Sequence, residues 1–152
     1  MAIPILNNWK NYFSSFDEGL GSSYERVILN KKLELVCKHF QVKSILEVPS
    51  FGFTGISGIN SMNLARNGYS ISLVDHEKER IELIKKIWEK VNLGVNTHFS
   101  QDYQKLSFPD KSFDLSWNFS ALWFVKDLSL FLEELTRVTS KAILLCVPNR
   151  NG

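Results

Sequence analysis

Two carboxylates, Glu47 and Asp75, bracket the stretch of this 152-residue chain whose residue types best suit chemistry on a bound ligand. Each closes a short apolar run, and between them lies the loop Pro49-Ser50-Phe51-Gly52-Phe53-Thr54-Gly55-Ile56-Ser57-Gly58. Glycine lets a backbone approach a ligand and take positive φ, and a helix starting after the loop offers free N–H groups. From Ser44 to Asp75 the order is therefore that of one βαβ unit, which holds a nucleotide-like ligand at the carboxyl ends of its strands. Gly52, Gly55 and Gly58 are spaced three apart, unlike G-x-G-x-x-G, so the spacing alone names no ligand. His76 follows Asp75 and is placed to touch a cofactor, His98 falls mid-strand and reads as structural, and His39 has no special context. No Cys/His cluster has metal-ligand spacing, so no metal is expected, and no general base stands out.

The composition permits the elements that must position these groups. At 152 residues with 44% hydrophobic side chains the chain suits one domain with one core. A net charge of +2, from 18 basic and 16 acidic side chains, makes no footprint for nucleic acid and favours a small-molecule partner. Cys37 and Cys146 sit in apolar stretches far apart and read as buried hydrophobes, which fits a reducing, cytoplasmic setting. The first residues lack a signal-peptide pattern, and no apolar stretch is long enough to span a bilayer.

Met1 to Gly21 reads as a helical arm ending in the break Gly19-Leu20-Gly21. Ser22 and Glu25 have capping-box spacing, so a helix is expected from Ser22, with Val27, Ile28, Leu33, Leu35, Val36 and Phe40 inward. Tyr24 and Arg26 lie in its first turn, either as a surface pair or within reach of a ligand. Residues 1–43 thus form an arm or lid, and 44–152 form the core.

Strands are expected at 44–48, 69–74, 95–99, 113–118 and 142–147. Helices are expected at 58–67, 76–92 and 128–140. Their inward residues are Ile59, Met62, Leu64 and Ala65, then Ile81, Ile84, Trp88 and Val91, then Leu128, Phe131, Leu132, Leu135 and Val138, and Gly68 supplies a left-handed cap. Alternating strands and helices predict an α/β fold, a Rossmann-like doubly wound sheet of about five parallel strands in the order 3-2-1-4-5 with helices on both faces.

Four pieces carry a resemblance: Ile45-Leu46-Glu47-Val48 with its glycine loop, Leu73-Val74-Asp75, Asp102-Tyr103 with Leu106 to Asp110, and Phe108-Pro109-Asp110-Lys111-Ser112-Phe113-Asp114. With these, Ser44 to Asn149 resembles the class I S-adenosylmethionine-dependent methyltransferases, notably the small-molecule and quinone methylases. The resemblance implies S-adenosylmethionine as cofactor, with Asp75 on the ribose diol and Asp102 on the adenine amino group. It implies Tyr103 as a face against the ring, and Glu47 with the backbone near Asn118 at the methionine ammonium. Asp75 also reads as a cap for the helix after it, Asp102 as a plain loop residue, and Asp114 as structural. Trp117, Phe119, Trp123 and Phe124 read either as an acceptor pocket or as core.

Two departures mark this chain. The loop after Glu47 is long and has Pro49 where the family has glycine, so Ser50, Thr54 and Ser57 are expected to replace lost backbone contacts. The strand 142–147 is followed by only a few residues, whereas the family's sheet has seven strands. A fragment of a longer protein, or a homo-oligomer or partner subunit covering that edge, is therefore expected. The function expected is methyl transfer to an unidentified small-molecule acceptor. A non-catalytic cofactor-binding or interaction subunit and an NAD-binding Rossmann protein stand as alternatives.

Overall fold

The structure, a computed structural model, describes residues 19–50 and 58–147, with side chains in the first helix from Val27 onward. Strands β1 (Ser44–Glu47), β2 (Ser70–Asp75), β3 (Asn96–Phe99), β4 (Phe113–Phe119) and β5 (Thr139–Cys146) form one sheet in the order β3-β2-β1-β4-β5. All four neighbouring pairs are parallel. The helices are α1 (Gly19–His39), α2 (Met62–Arg66) after a 3-10 turn at Ile59–Ser61, α3 (Lys78–Lys90) and α4 (Leu128–Val138).

Alternate residues of a strand point to opposite faces, so a strand covered on both sides is apolar throughout. Ile45, Ile71, Leu73, Leu115 and Trp117 meet α1, α2 and α3 on one face. Leu46, Val48, Val74 and Phe113 meet α4 on the other, together with Tyr103 and Leu106 from the helix-free connection between β3 and β4. Each fully buried Leu or Ile contributes about 1.5–3 kcal/mol over its exposed state. The expected strand order and the helices on both faces are those observed. Among the described residues no helix is long and apolar enough to cross a membrane.

Several local expectations differ from the structure. Helix α1 does not start at Ser22 but runs through Gly19-Leu20-Gly21, since a glycine costs only about 0.5–1 kcal/mol in a helix and later turns offset it by packing. Its buried stripe is Leu29, Leu33 and Cys37, while Val27, Ile28, Leu35 and Phe40 are exposed. Apolar residues side by side cannot share one face, and packing against the sheet selected the i, i+4, i+8 row. The helix expected over 58–67 is a 3-10 turn followed by a short helix. Leu128 is exposed in the first turn of α4, and Glu134 is buried instead. Gly68 takes φ +88°, the left-handed cap expected of it. The expected arm up to Gly21, with Tyr24, Arg26 and the segment after Val147, lies outside the described side chains.

The most family-specific string, Phe108 to Asp114, turns out to be a structural clamp. Arg137 of α4 donates to the carbonyls of Phe108 (2.8 Å) and Leu106 (3.1 Å) and to Asp110 (2.7 Å). Lys111 caps the end of α4 through the carbonyls of Thr136 and Thr139, at 2.9 and 2.8 Å. Asp114 accepts from the backbone N–H groups of Lys43 (2.7 Å) and Ser44 (3.4 Å), at the entrance to β1. A bulge in β5 sets two residues opposite Asp114, and both reach its carboxylate: Ser140 Oγ at 3.2 Å and Lys141 Nζ at 3.2 Å. Burial raises the Asp114 carboxyl, but hydrogen bonds from Lys43, Lys141, Ser44 and Ser140 outweigh it and hold the group below its ordinary value.

Asp114→Ala is expected to destabilise the fold by about 1–3 kcal/mol, because charge-assisted bonds to two strands are lost together. Urea unfolding measures this. With its folded pKa depressed, the wild-type advantage is present at neutral pH and lost as pH falls through that pKa.

Candidate functional site

The strand ends fix the site. Glu47 closes β1 and lies in register with Leu73 of β2 and Trp117 of β4, so Asp75, two residues on, and Asn118, one residue on, end beside it. All three side chains are at most 1% exposed. Burying polar groups in this way costs free energy unless each finds a partner.

Glu47 finds partial compensation. Its Oε2 accepts from Ser61 Oγ at 2.5 Å, at the start of the helical segment after the loop. Burial still pushes its carboxyl up to about 8; bonds from Ser61 and Asn60 pull the other way, and the charge of Asp75 adds to the rise. Asp75 is well partnered. Its Oδ2 accepts from Ser50 Oγ at 2.8 Å and its Oδ1 from the Glu77 N–H at 2.9 Å, just ahead of α3. Arg80 Nη1 lies 3.3 Å from both oxygens. Asp75 is not the N-cap expected of it: Glu77 takes that position without a side-chain cap bond, and Asp75, two residues earlier, holds the Glu77 N–H.

Asn118 has neither. Both polar atoms of its carboxamide are buried without a hydrogen-bond partner. Its neighbour Trp117 points into the first core face, so Asn118 points to the other.

Tyr103 is turned inward. Its ring is 1% exposed, within the second core face, and presents no open face to a ligand ring. The phenol instead meets His76 Nδ1 at 2.6 Å, and φ of +60° at Tyr103, uncommon for a bulky residue, holds it there. Burial pushes the phenol pKa up, so it stays protonated. His76 is half-buried between Tyr103 and Phe124, whose rings lie 5.8 and 5.2 Å away. Asp102 is half-buried and accepts from the Gln104 N–H at 3.2 Å, a local turn bond. The loop carrying both is tied down by Glu134, which accepts the Leu106 N–H at 2.6 Å.

Gly58 closes the glycine loop rather than offering a free donor. Its N–H bonds the Ser50 carbonyl at 3.3 Å. Its φ is +78°, and a Cβ there would lie 2.6 Å from Leu73 Cδ1, so no other residue fits without displacement. Gly52 and Gly55 lie outside the described residues, as do Thr54 and Ser57. Of the four aromatics after Phe113, Trp117 and Phe119 belong to the first core face. Trp123 is 53% exposed and Phe124 reaches His76, which leaves these two beside the site. Ser61 and Arg80 were not expected at the site. Only the i, i+3 spacing of Glu77 and Arg80 at a helix start hinted at the second. Among the described residues no group of His, Cys, Asp and Glu could hold a metal.

A protein-family profile described as "Methyltransferase domain" matches residues 53–146. The chain belongs to this methyltransferase family. Solved structures agree on the fold. A putative S-adenosyl-L-methionine-dependent methyltransferase from Methanococcus maripaludis superposes with a TM-score of 0.63 at 19% identity, covering 90% of this chain and 67% of the other. A SAM-dependent methyltransferase from Aquifex aeolicus gives 0.58 at 23% identity, covering 70% and 57%. The Bacillus subtilis YcgJ protein gives 0.62 at 22% identity, covering 74% and 48%. The chain thus spans about half the length of the last two. No curated protein matches it in sequence. The family is the one expected from the sequence, and S-adenosylmethionine is the cofactor that membership implies. Neither the NAD-binding nor the non-catalytic alternative draws support from these matches.

A pH effect follows from Glu47. Between its ordinary value of 4.5 and its folded value of about 8, the folded chain keeps a proton that the unfolded chain has released. Glu47 therefore lowers stability progressively as pH rises across that window. Glu47→Gln is expected to remove this slope and gain on the order of 3–5 kcal/mol over wild type near pH 8. Thermal unfolding of both proteins from pH 5 to 9 measures the difference.

Proposed function

We propose that the chain binds S-adenosylmethionine across the carboxyl ends of β1, β2 and β4 and promotes transfer of its methyl group to a small-molecule acceptor. The observation that carries this reading is the Asn118 carboxamide, buried at the strand ends with both polar atoms unpartnered. A buried unsatisfied polar group costs about 1–3 kcal/mol, and a ligand with its own donors and acceptors recovers that cost. The amino-acid end of S-adenosylmethionine has both.

Asp75 would take the ribose hydroxyls and Asp102 the adenine amino group. Glu47, largely neutral at pH 7 in the free protein, would favour its charged form once a ligand ammonium lies beside it. When bound, the cofactor supplies an electrophilic methyl group on a sulfonium. What remains for the protein is to hold an acceptor in line with it and keep water out. Trp123 and Phe124 offer apolar surface for that acceptor, with the half-buried His76 beside them. Among the described residues β5 is an edge strand of the sheet, with Ile143 exposed, and this supports pairing with a second copy or a partner subunit.

Calorimetry with S-adenosylmethionine, S-adenosylhomocysteine and NAD tests the reading. Binding of the two adenosyl ligands is expected, with Asp75→Ala weakening it at least tenfold; binding of NAD alone would refute it. Sedimentation velocity is expected to show a species larger than one chain. A protein that stays monomeric at high concentration would sink the pairing of β5.

A further inference from the structure

Asp75 is fully engaged within the chain. A carboxylate offers roughly four lone-pair sites. Here they receive Ser50 Oγ, the Glu77 N–H and the Arg80 guanidinium, the last at 3.3 Å from both oxygens. A vicinal diol donating two hydrogens needs two of those sites. The Glu77 N–H is backbone, held at the extended residue that precedes α3. Ser50 and Arg80 are side chains and can withdraw.

Arg80 also has somewhere to go. Its other guanidinium nitrogen, Nη2, already lies 2.5 Å from Glu77 Oε1, which is 54% exposed, so the side chain can leave Asp75 without losing a carboxylate. Its bonds to Asp75 are long, while the one to Glu77 is short, so the Asp75 contact is the weaker of the two.

We propose that Arg80 is an internal competitor for the Asp75 carboxylate, displaced onto Glu77 by the ribose diol, and that it thereby sets the affinity and diol selectivity of the site. The proposal rests on the reading that Asp75 receives the ribose. Arg80 is then a positioning residue: it touches Asp75 and need not touch the ligand. In the free protein it shields a buried carboxylate, and its displacement lowers the net gain from each ribose bound.

The test is calorimetric titration with S-adenosylhomocysteine and with its 2′,3′-dideoxy analogue. Arg80→Gln is expected to bind S-adenosylhomocysteine about tenfold more tightly than wild type, with no gain for the dideoxy analogue. Glu77→Gln removes the charge that receives the displaced guanidinium while keeping the backbone N–H, so it is expected to weaken S-adenosylhomocysteine binding several-fold. Should Arg80→Gln unfold, the Glu77→Gln result stands alone as the test. Weaker or unchanged binding by Arg80→Gln, an equal gain for both ligands, or unchanged affinity in Glu77→Gln would each overturn the proposal. Wild type that unfolds cooperatively yet binds neither adenosyl ligand would instead overturn the adenosyl reading on which it rests.

Discussion

In a parallel sheet every strand ends on the same side, and the rest of this molecule depends on that constraint. β1 bonds to β2 on one side and β4 on the other, so residues distant in sequence finish side by side at one rim. Glu47, Asp75 and Asn118 meet there because the backbone ladders leave them no alternative. Ser50, Ser61, His76 and Tyr103, from the segments next to these strand ends and from the β3–β4 connection, come within reach at the same rim. Chemistry collects where the ladder stops.

The opposite end of the sheet holds that rim in place. Asp114 binds the entrance of β1 and the bulge of β5 at once, while Arg137 and Lys111 lash the preceding loop to α4. The string most typical of the family therefore acts at a distance, by fixing the strands whose far ends carry the site. A short motif can identify a family without touching its ligand.

Polar burial at the rim shows three outcomes of one problem. Asp75 is satisfied by serine, backbone and guanidinium; Glu47 is partly satisfied and holds its proton to about pH 8; Asn118 is not satisfied at all. The gradient runs from a group the protein completes by itself to one it leaves without a partner. A polar group buried without a partner lowers the stability of the chain that carries it.

The sequence by itself determined the element order, the parallel sheet and the family, because hydrophobic period, glycine placement and acidic strand ends are local signals. Leu73-Val74-Asp75 and the Phe108 to Asp114 string could be read without coordinates, and so could the left-handed cap at Gly68. Tertiary structure decided what no local pattern encodes. The face of α1 that packs inward follows from its contact with the sheet, so Leu29 and Cys37 are buried while Leu35 is not. Whether Tyr103 offers its ring or hides it depends on His76, which is 27 residues away. Arg80 on Asp75 and the empty hand of Asn118 were illegible for the same reason: partnering is a matter of distance in space, and a chain records only distance along itself.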